Sequence, residues 1–313
     1  MFEYLASLPS AISIGLIWAV MSIGVFITYK VLDVPDLTVD GSFATGGMVC
    51  AVIIANGGHF VLGLLAGFAA GCIAGLITGL LHTFFGIPPI LAGILTQLSL
   101  YSINILVSQG VANVPISGLD YHLIFYSLNI YDVLWKIALI VVALALVLYV
   151  FFGTELGASI RATGNNPHMA RAQGINVKVN LVIGLSLSNG IVALAGALLA
   201  QYQGFANISM GAGAIVIGLC AVVIGGAIFS KISPNFLVRI LGVAVGSVIY
   251  FLVFQSVIFF VPITDLLKLF SAVVVIIFLG IPYLRRKDLA RYAKYKKNKA
   301  LKAVNKNNGG ESK

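Results

Sequence analysis

Apolar runs of about 18 or more residues recur along most of this 313-residue chain, and no other feature limits its folding so severely. Each run is long enough to cross a hydrocarbon core of about 30 Å. In that solvent every backbone N–H and C=O must be paired within the protein, which leaves helices or a closed barrel. The runs are continuous rather than alternating, so they predict helices. Charged residues make up 9% of the chain, against about 25% in a soluble domain. The expected fold class is therefore all-α, a polytopic membrane protein. Spans are expected near 10–30, 42–56, 60–82, 87–109, 133–152, 179–201, 211–229, 239–261 and 266–284. A tenth crossing would follow if an early segment is broken and passes twice, and residues 31–47 are where such a break is expected.

Charge orients the spans. Residues 285–313 hold eleven Lys/Arg and two acids, so the whole net charge of +9 lies there. The chain divides into an expected membrane domain, 1–284, and a basic tail, 285–313. A basic stretch directly after a span is explained by the positive-inside rule and by anionic membrane lipid, and nucleic-acid binding is not expected. The C-terminus is thus placed in the cytoplasm. Four spans back, the loop 153–178 is cytoplasmic as well, and its Arg161, Arg171 and Lys178 against one acid agree. Loop 110–132, with Asp120 and Asp132 and no Lys or Arg, falls outside. The N-terminus lacks a basic n-region, so the first apolar segment reads as a retained span.

The cytoplasmic loop reads "GTELGASIRATGNNPHMARAQGINVKVN". Asn166 followed by Pro167 is a helix N-cap followed by proline at the first helical position. Residues 167–173 then make two turns, and Gly174 is a natural C-cap. A second short helix is expected from Glu155 to Ala162, ended by Gly164. Two short capped helices make a rigid surface feature rather than a slack connector.

Three of the ten carboxylates sit in "DVPDLTVDGSF", as Asp33, Asp36 and Asp40. One charge at mid-bilayer costs about 2.5–3.5 kcal/mol, so three bare in lipid would cost roughly 8–10 kcal/mol. They must be hydrated, paired or at an interface. On a helix, positions 33, 36 and 40 share a face, and Pro35 in a first turn would make Asp33 the N-cap. They cap and hydrate a break before a small-residue helix, form a gate on a solute path, or meet a basic surface of a partner. Glycines at 63, 67, 71, 75 and 79 predict a smooth helix stripe for close packing, with that helix buried among others. Gly225–Gly226 predicts a kink or a close approach.

Few polar side chains interrupt the spans. Gln97, Ser99, Asn104, Ser186, Ser188, Asn189, Gln201, Gln203 and Gln255 are expected either to bond across helices or to line a weakly polar path. Asp36, Asp40, Gln97, Asn104 and Asn189 are the candidates for such a path or its gate. Mid-span Lys, Arg, Asp and Glu are almost absent, which argues against an ion- or proton-coupled carrier acting alone, the alternative reading. The cysteines, Cys50, Cys72 and Cys220, lie in apolar segments without CxxC spacing, and nothing points to a metal or other cofactor. No GxxxxGK[ST] phosphate loop occurs, so this chain is not expected to hydrolyse ATP.

The segment "GASIRATGNNPHMARAQGINV" resembles the cytoplasmic loop of ABC importer permeases of the branched-chain amino acid and ribose type. The matching positions are Gly157, Arg161–Ala162, Asn165–Pro167, Ala170 and Gly174–Ile175. "DLTVDGSFATGG" is similar to that family's early loop, and "PDLTVDGSF" resembles a branch that includes tryptophan- and tyrosine-type uptake systems. The resemblance spans roughly residues 10–285. It implies a permease subunit in the cell membrane, dimeric with a second permease subunit. It also implies cytoplasmic ABC ATPase subunits docking at a coupling helix, and an external binding (lipo)protein delivering a small solute such as an amino acid. Gly157, Arg161, Asn166, Pro167, Ala170, Arg171 and Gly174 are the residues to which it assigns coupling.

Overall fold

The computed structural model describes residues 2–116, 123–125, 130–229 and 235–260, with isolated positions between 272 and 280. In chain order the elements are α1 (Phe2–Phe26), a π-helical turn (Ile27–Val31), α2 (Val39–Ala55), α3 (Phe60–Thr83), α4 (Pro89–Val107) and β1 (Asn113–Pro115). Then follow α5 (Ile130–Gly153), α6 (Glu155–Asn165), α7 (Pro167–Ala172), α8 (Val177–Gln203), β2 (Phe205–Asn207), α9 (Ala214–Phe229) and α10 (Phe236–Phe260). Six of these helices are long and apolar enough to cross a bilayer, and α2 and α9 are shorter apolar helices. Eight of the nine expected spans are therefore helices here. The ninth, 266–284, lies largely outside the described residues, as does the tail 285–313. The break at 32–38 separates α1 from α2 and adds no further crossing helix.

The bundle has two distinct ends. At one, α6 and α7 lie beside the end of α1 and the starts of α8 and α10. Gly164 of α6 packs on the backbone of Val31, and Arg161 stands over the Phe236 ring. At the other, β1 and β2 pair antiparallel, with Asn113 opposite Asn207, beside the end of α2. Lys30, Arg161, Arg171, Lys178 and Arg239 all fall at the α6–α7 end, and Lys136 is the exception among the described residues. Most of the described cations therefore lie at one end of the bundle, an asymmetry of the kind the positive-inside rule describes.

Buried helix α8 forms the centre, with α1, α2 and α3 packed on it. Close approach depends on glycine. A Cβ on Gly75 would strike the Leu185 carbonyl, and one on Gly71 would strike Asn189 O and Ala193. The α3 stripe is therefore an internal α3–α8 seam, continued by Gly63 against Cys50 of α2. The expectation that α3 is buried among other helices is corrected to one face only, because Leu62, Leu65, Ile73 and Ile77 on its other face are exposed. A small-residue stripe needs only one covered face; the Leu/Ile face suits lipid or another chain. Gly225 is a close approach to the Gly242 backbone of α10, whereas a Cβ on Gly226 would meet nothing within 4 Å.

Hydroxyls join the helices. Ser188 Oγ donates to Gly24 O at 2.7 Å, Ser186 Oγ to Cys72 O at 2.8 Å and Ser247 Oγ to Gly15 O at 2.9 Å. Each satisfies its own O–H where lipid offers no partner.

Candidate functional site

The three aspartates do not share a helical face. Residues 33–37 are irregular, so the expected common face and the Asp33 cap are both corrected. Pro35 blocks helix in the residue before it and cannot donate an N–H. Asp33 is exposed and left-handed at φ 57. Asp36 turns inward and is 3% exposed. Its Oδ1 accepts from Thr38 N at 2.9 Å, an Asx turn that opens α2. Its Oδ2 accepts from Asn189 Nδ2 of α8 at 2.7 Å. Asn189 Oδ1 in turn accepts from Ser42 Oγ at 2.7 Å, and its Nδ2 also donates to Leu185 O at 3.0 Å.

Beside this pair runs a chain of buried threonines. Thr38 Oγ1 lies 2.8 Å from Thr78 Oγ1 of α3, which donates to Thr96 Oγ1 of α4 at 2.9 Å. The node thus ties the break, α2, α3, α4 and α8 together without a basic residue. Ser42, Thr38, Thr78 and Thr96 were not singled out by sequence. Threonine in an apolar helix ordinarily bonds its own i−4 carbonyl, as Thr78 does to Ala74 O and Thr96 to Ala92 O, so nothing local marks the cross-helix contacts.

Asp40 has a different task. Its Oδ2 accepts from Gly213 N at 2.9 Å and its Oδ1 from Ile215 N at 2.8 Å, capping α9 from the first turn of α2. After β2 the chain folds back along α2, with Met210 against Gly47 and Gly211 against the Asp40 carbonyl. Helix α9 therefore starts inside the bundle. At 16 residues it measures about 24 Å, short of a full crossing.

Between α2, α4 and this returning segment lies a cavity of about 160 Å³, lined by Asp40, Gln97, Tyr101, Asn104 and Ser209 among others. Leu98 and Tyr101, exposed on α4, also line it. Asn104 is 1% exposed, and among the described residues its Oδ1 has no hydrogen-bond partner. An unsatisfied buried amide oxygen is costly, by about 1–3 kcal/mol, and commonly marks a place for an absent donor. The five path candidates thus form two groups: Asp36 with Asn189 in the closed node, and Asp40, Gln97 and Asn104 around the cavity.

The α6–α7 loop matches its local signals closely. Thr154 caps α6, accepting from Gly157 N at 3.3 Å. Helix α6 extends to Asn165, past the expected stop at Ala162, because Gly164 is used for contact with Val31 rather than as a terminator. Asn166 caps α7, accepting from Met169 N at 3.0 Å. Gly174 has φ 79; its N–H donates to Arg171 O at 3.0 Å and Ile175 N to Ala170 O at 3.1 Å, a Schellman ending. Asn180 Nδ2 of α8 donates to Thr163 Oγ1 at 3.0 Å, tying α6 to the bundle. Met169 is 63% exposed while Ala170 is 3% exposed, and His168, Arg171 and Ala172 are exposed with Met169. Gly157 is also buried, on the backbone of Phe151–Phe152. Gly157 and Ala170 seat the loop; His168, Met169 and Arg171 are its outward surface.

The sequence is similar to known transport permeases. The family model described as "Branched-chain amino acid transport system / permease component" matches residues 8–279. A tyrosine transport system permease protein of Clostridioides difficile is 36% identical over 277 residues, 88% of this chain and 91% of that one. An uncharacterized protein of Rickettsia prowazekii is 31% identical over 289 residues, covering 90% and 99%. The galactose/methyl galactoside import permease protein MglC of Escherichia coli is 28% identical over 176 residues, 55% of this chain and 51% of that one. No solved structure matches the chain. The chain is a multi-pass membrane protein and belongs to the family of permease components of branched-chain amino acid transport systems.

Proposed function

We propose that this chain is the membrane-spanning subunit of an ATP-driven ABC importer that carries a small solute, an amino acid or related metabolite, into the cell. The observation that carries this reading is α7. It is capped at both ends, braced by Ala170, and presents His168, Met169 and Arg171 outward at the basic end of the bundle. A short rigid helix there suits the groove of a cytoplasmic ATPase. Its motion would reach the bundle through Gly164 on Val31, then Leu32 against Gly184 of α8, then the Asp36 break.

On this reading residues 1–284 form the permease domain, and residues 285–313 form a cytoplasmic tail near anionic lipid. An external binding protein supplies solute at the β1–β2 end. The cavity at Asp40, Gln97 and Asn104 belongs to the path, and its α4 side is completed by a second permease subunit. The node at Asp36 and Asn189 is a latch between the moving loop and that path. The amino-acid assignment is supported by the tyrosine permease relative.

Co-expression with the ATPase of the same transport system tests the docking assignment. Wild type should co-purify with it, and Met169→Glu with Arg171→Glu should abolish co-purification while the permease stays folded. Retention of the ATPase by that double variant would place the docking surface elsewhere.

A further inference from the structure

Three cations from three elements converge at the α6–α7 end. Lys30 comes from the π-helical turn, Arg161 from α6 and Arg239 from the first turn of α10. With Asp33 and Asn165 they line a cleft of about 500 Å³, three positive charges against one negative. Among the described residues none of the three forms an ion pair; Arg161 rests 5.8 Å from the Phe236 ring centroid instead. The positive-inside rule explains why cations lie at this end. It does not explain why these three share one cleft.

The cleft continues into an apolar slot. A second cavity of about 300 Å³ shares Phe26, Lys30 and Arg239 with it and runs between α9 and α10 past Val222, Gly226 and Phe229. At Gly226 an added Cβ would meet nothing within 4 Å, so no side chain among the described residues fills the slot there. Next to it Gly225 packs on the Gly242 backbone, which holds the two helices together at this level. A cationic mouth at the membrane surface above a slot within the hydrocarbon layer has the shape of an amphiphile. A soluble phosphate would use the mouth and leave the slot unused.

We propose that cleft and slot bind an anionic phospholipid, with its phosphate among Lys30, Arg161 and Arg239 and one acyl chain between α9 and α10. Basic pockets between membrane helices on the cytoplasmic side have the chemistry for such headgroups. Because the π-helical turn also carries the Gly164–Val31 contact, the lipid would brace the segment that joins the loop to the bundle.

Native mass spectrometry of the full chain in detergent tests this, with phosphatidylglycerol and phosphatidylcholine of matched chains as probes. Wild type should retain phosphatidylglycerol preferentially. Lys30→Gln with Arg239→Gln, both at exposed positions, should lower that preference by roughly tenfold or more. Gly226→Leu, which fills the slot without altering charge, should also lower it while the thermal midpoint holds, and millimolar inorganic phosphate should not displace the lipid. Equal retention of the two lipids by wild type would overturn the proposal. So would a preference unchanged by the charge variant. Displacement by inorganic phosphate, with Gly226→Leu neutral, would reassign the cleft to a soluble anion and overturn the lipid assignment.

Discussion

Asn189 of α8 donates its side-chain amide to the carboxylate of Asp36 at 2.7 Å, across 153 positions of sequence. This bond, with the one from Ser42 to Asn189, is how a chain with few mid-span charges keeps a carboxylate in its interior. Hydrogen bonds from neutral donors meet the desolvated oxygens, so no buried lysine or arginine is needed.

Asn189→Leu should strand the Asp36 carboxylate and the Ser42 hydroxyl and cost at least about 2 kcal/mol of stability. Removing both partners, as Asp36→Leu with Asn189→Leu, should cost less than the sum of the single changes, with a coupling of about 1–3 kcal/mol. Unfolding of the four proteins in detergent measures it. Additive losses would show that the contact carries no energy.

The Asp40 cap makes a local prediction. Asp40→Ala removes the acceptors for Gly213 N and Ile215 N and should weaken the start of α9 by about 1–2 kcal/mol. Hydrogen exchange in residues 213–217 should speed up by roughly tenfold, while exchange in the middle of α8 stays unchanged.

On α3, Gly75→Leu should be severely destabilising, by about 3 kcal/mol or more, because the Leu185 carbonyl occupies the space. Ile73→Ala, on the exposed face of the same helix, should change stability by no more than about 0.5 kcal/mol. Thermal midpoints of the two variants side by side test whether the stripe alone is the seam.

In the loop, Ala170→Glu should destabilise the protein by about 2 kcal/mol, since it drives a carboxylate into the contact that seats α7. Met169→Glu should leave stability within about 0.5 kcal/mol. If the two behaved alike in detergent, α7 would not be oriented as described.

What was legible in the sequence follows from range. The α6–α7 loop was readable almost residue by residue, because the caps at Asn166 and Gly174 are completed within five residues. Apolar runs located α1 through α5 and α8 through α10 for the same reason: length against bilayer thickness is a local property. The aspartate stretch misled because its partners are remote. Asp36 is explained by Asn189, and Asp40 by a helix that begins 174 positions later. The threonine contacts of Thr38, Thr78 and Thr96 were hidden because a hydroxyl in an apolar helix has a local acceptor whether or not it has a distant one. The α3 stripe gave the right seam and the wrong degree of burial, since glycine spacing reports one face of a helix and says nothing of the other.

On the function proposed above, ATP hydrolysis in a partner drives solute through this chain by way of α7. Solute uptake into proteoliposomes holding the permease, its ATPase and its binding protein tests it most directly. Uptake should require internal ATP and all three components, and should fall to background with Met169→Glu and Arg171→Glu. Uptake by the permease alone under a proton or sodium gradient, without ATP, would contradict the account and identify a self-sufficient carrier.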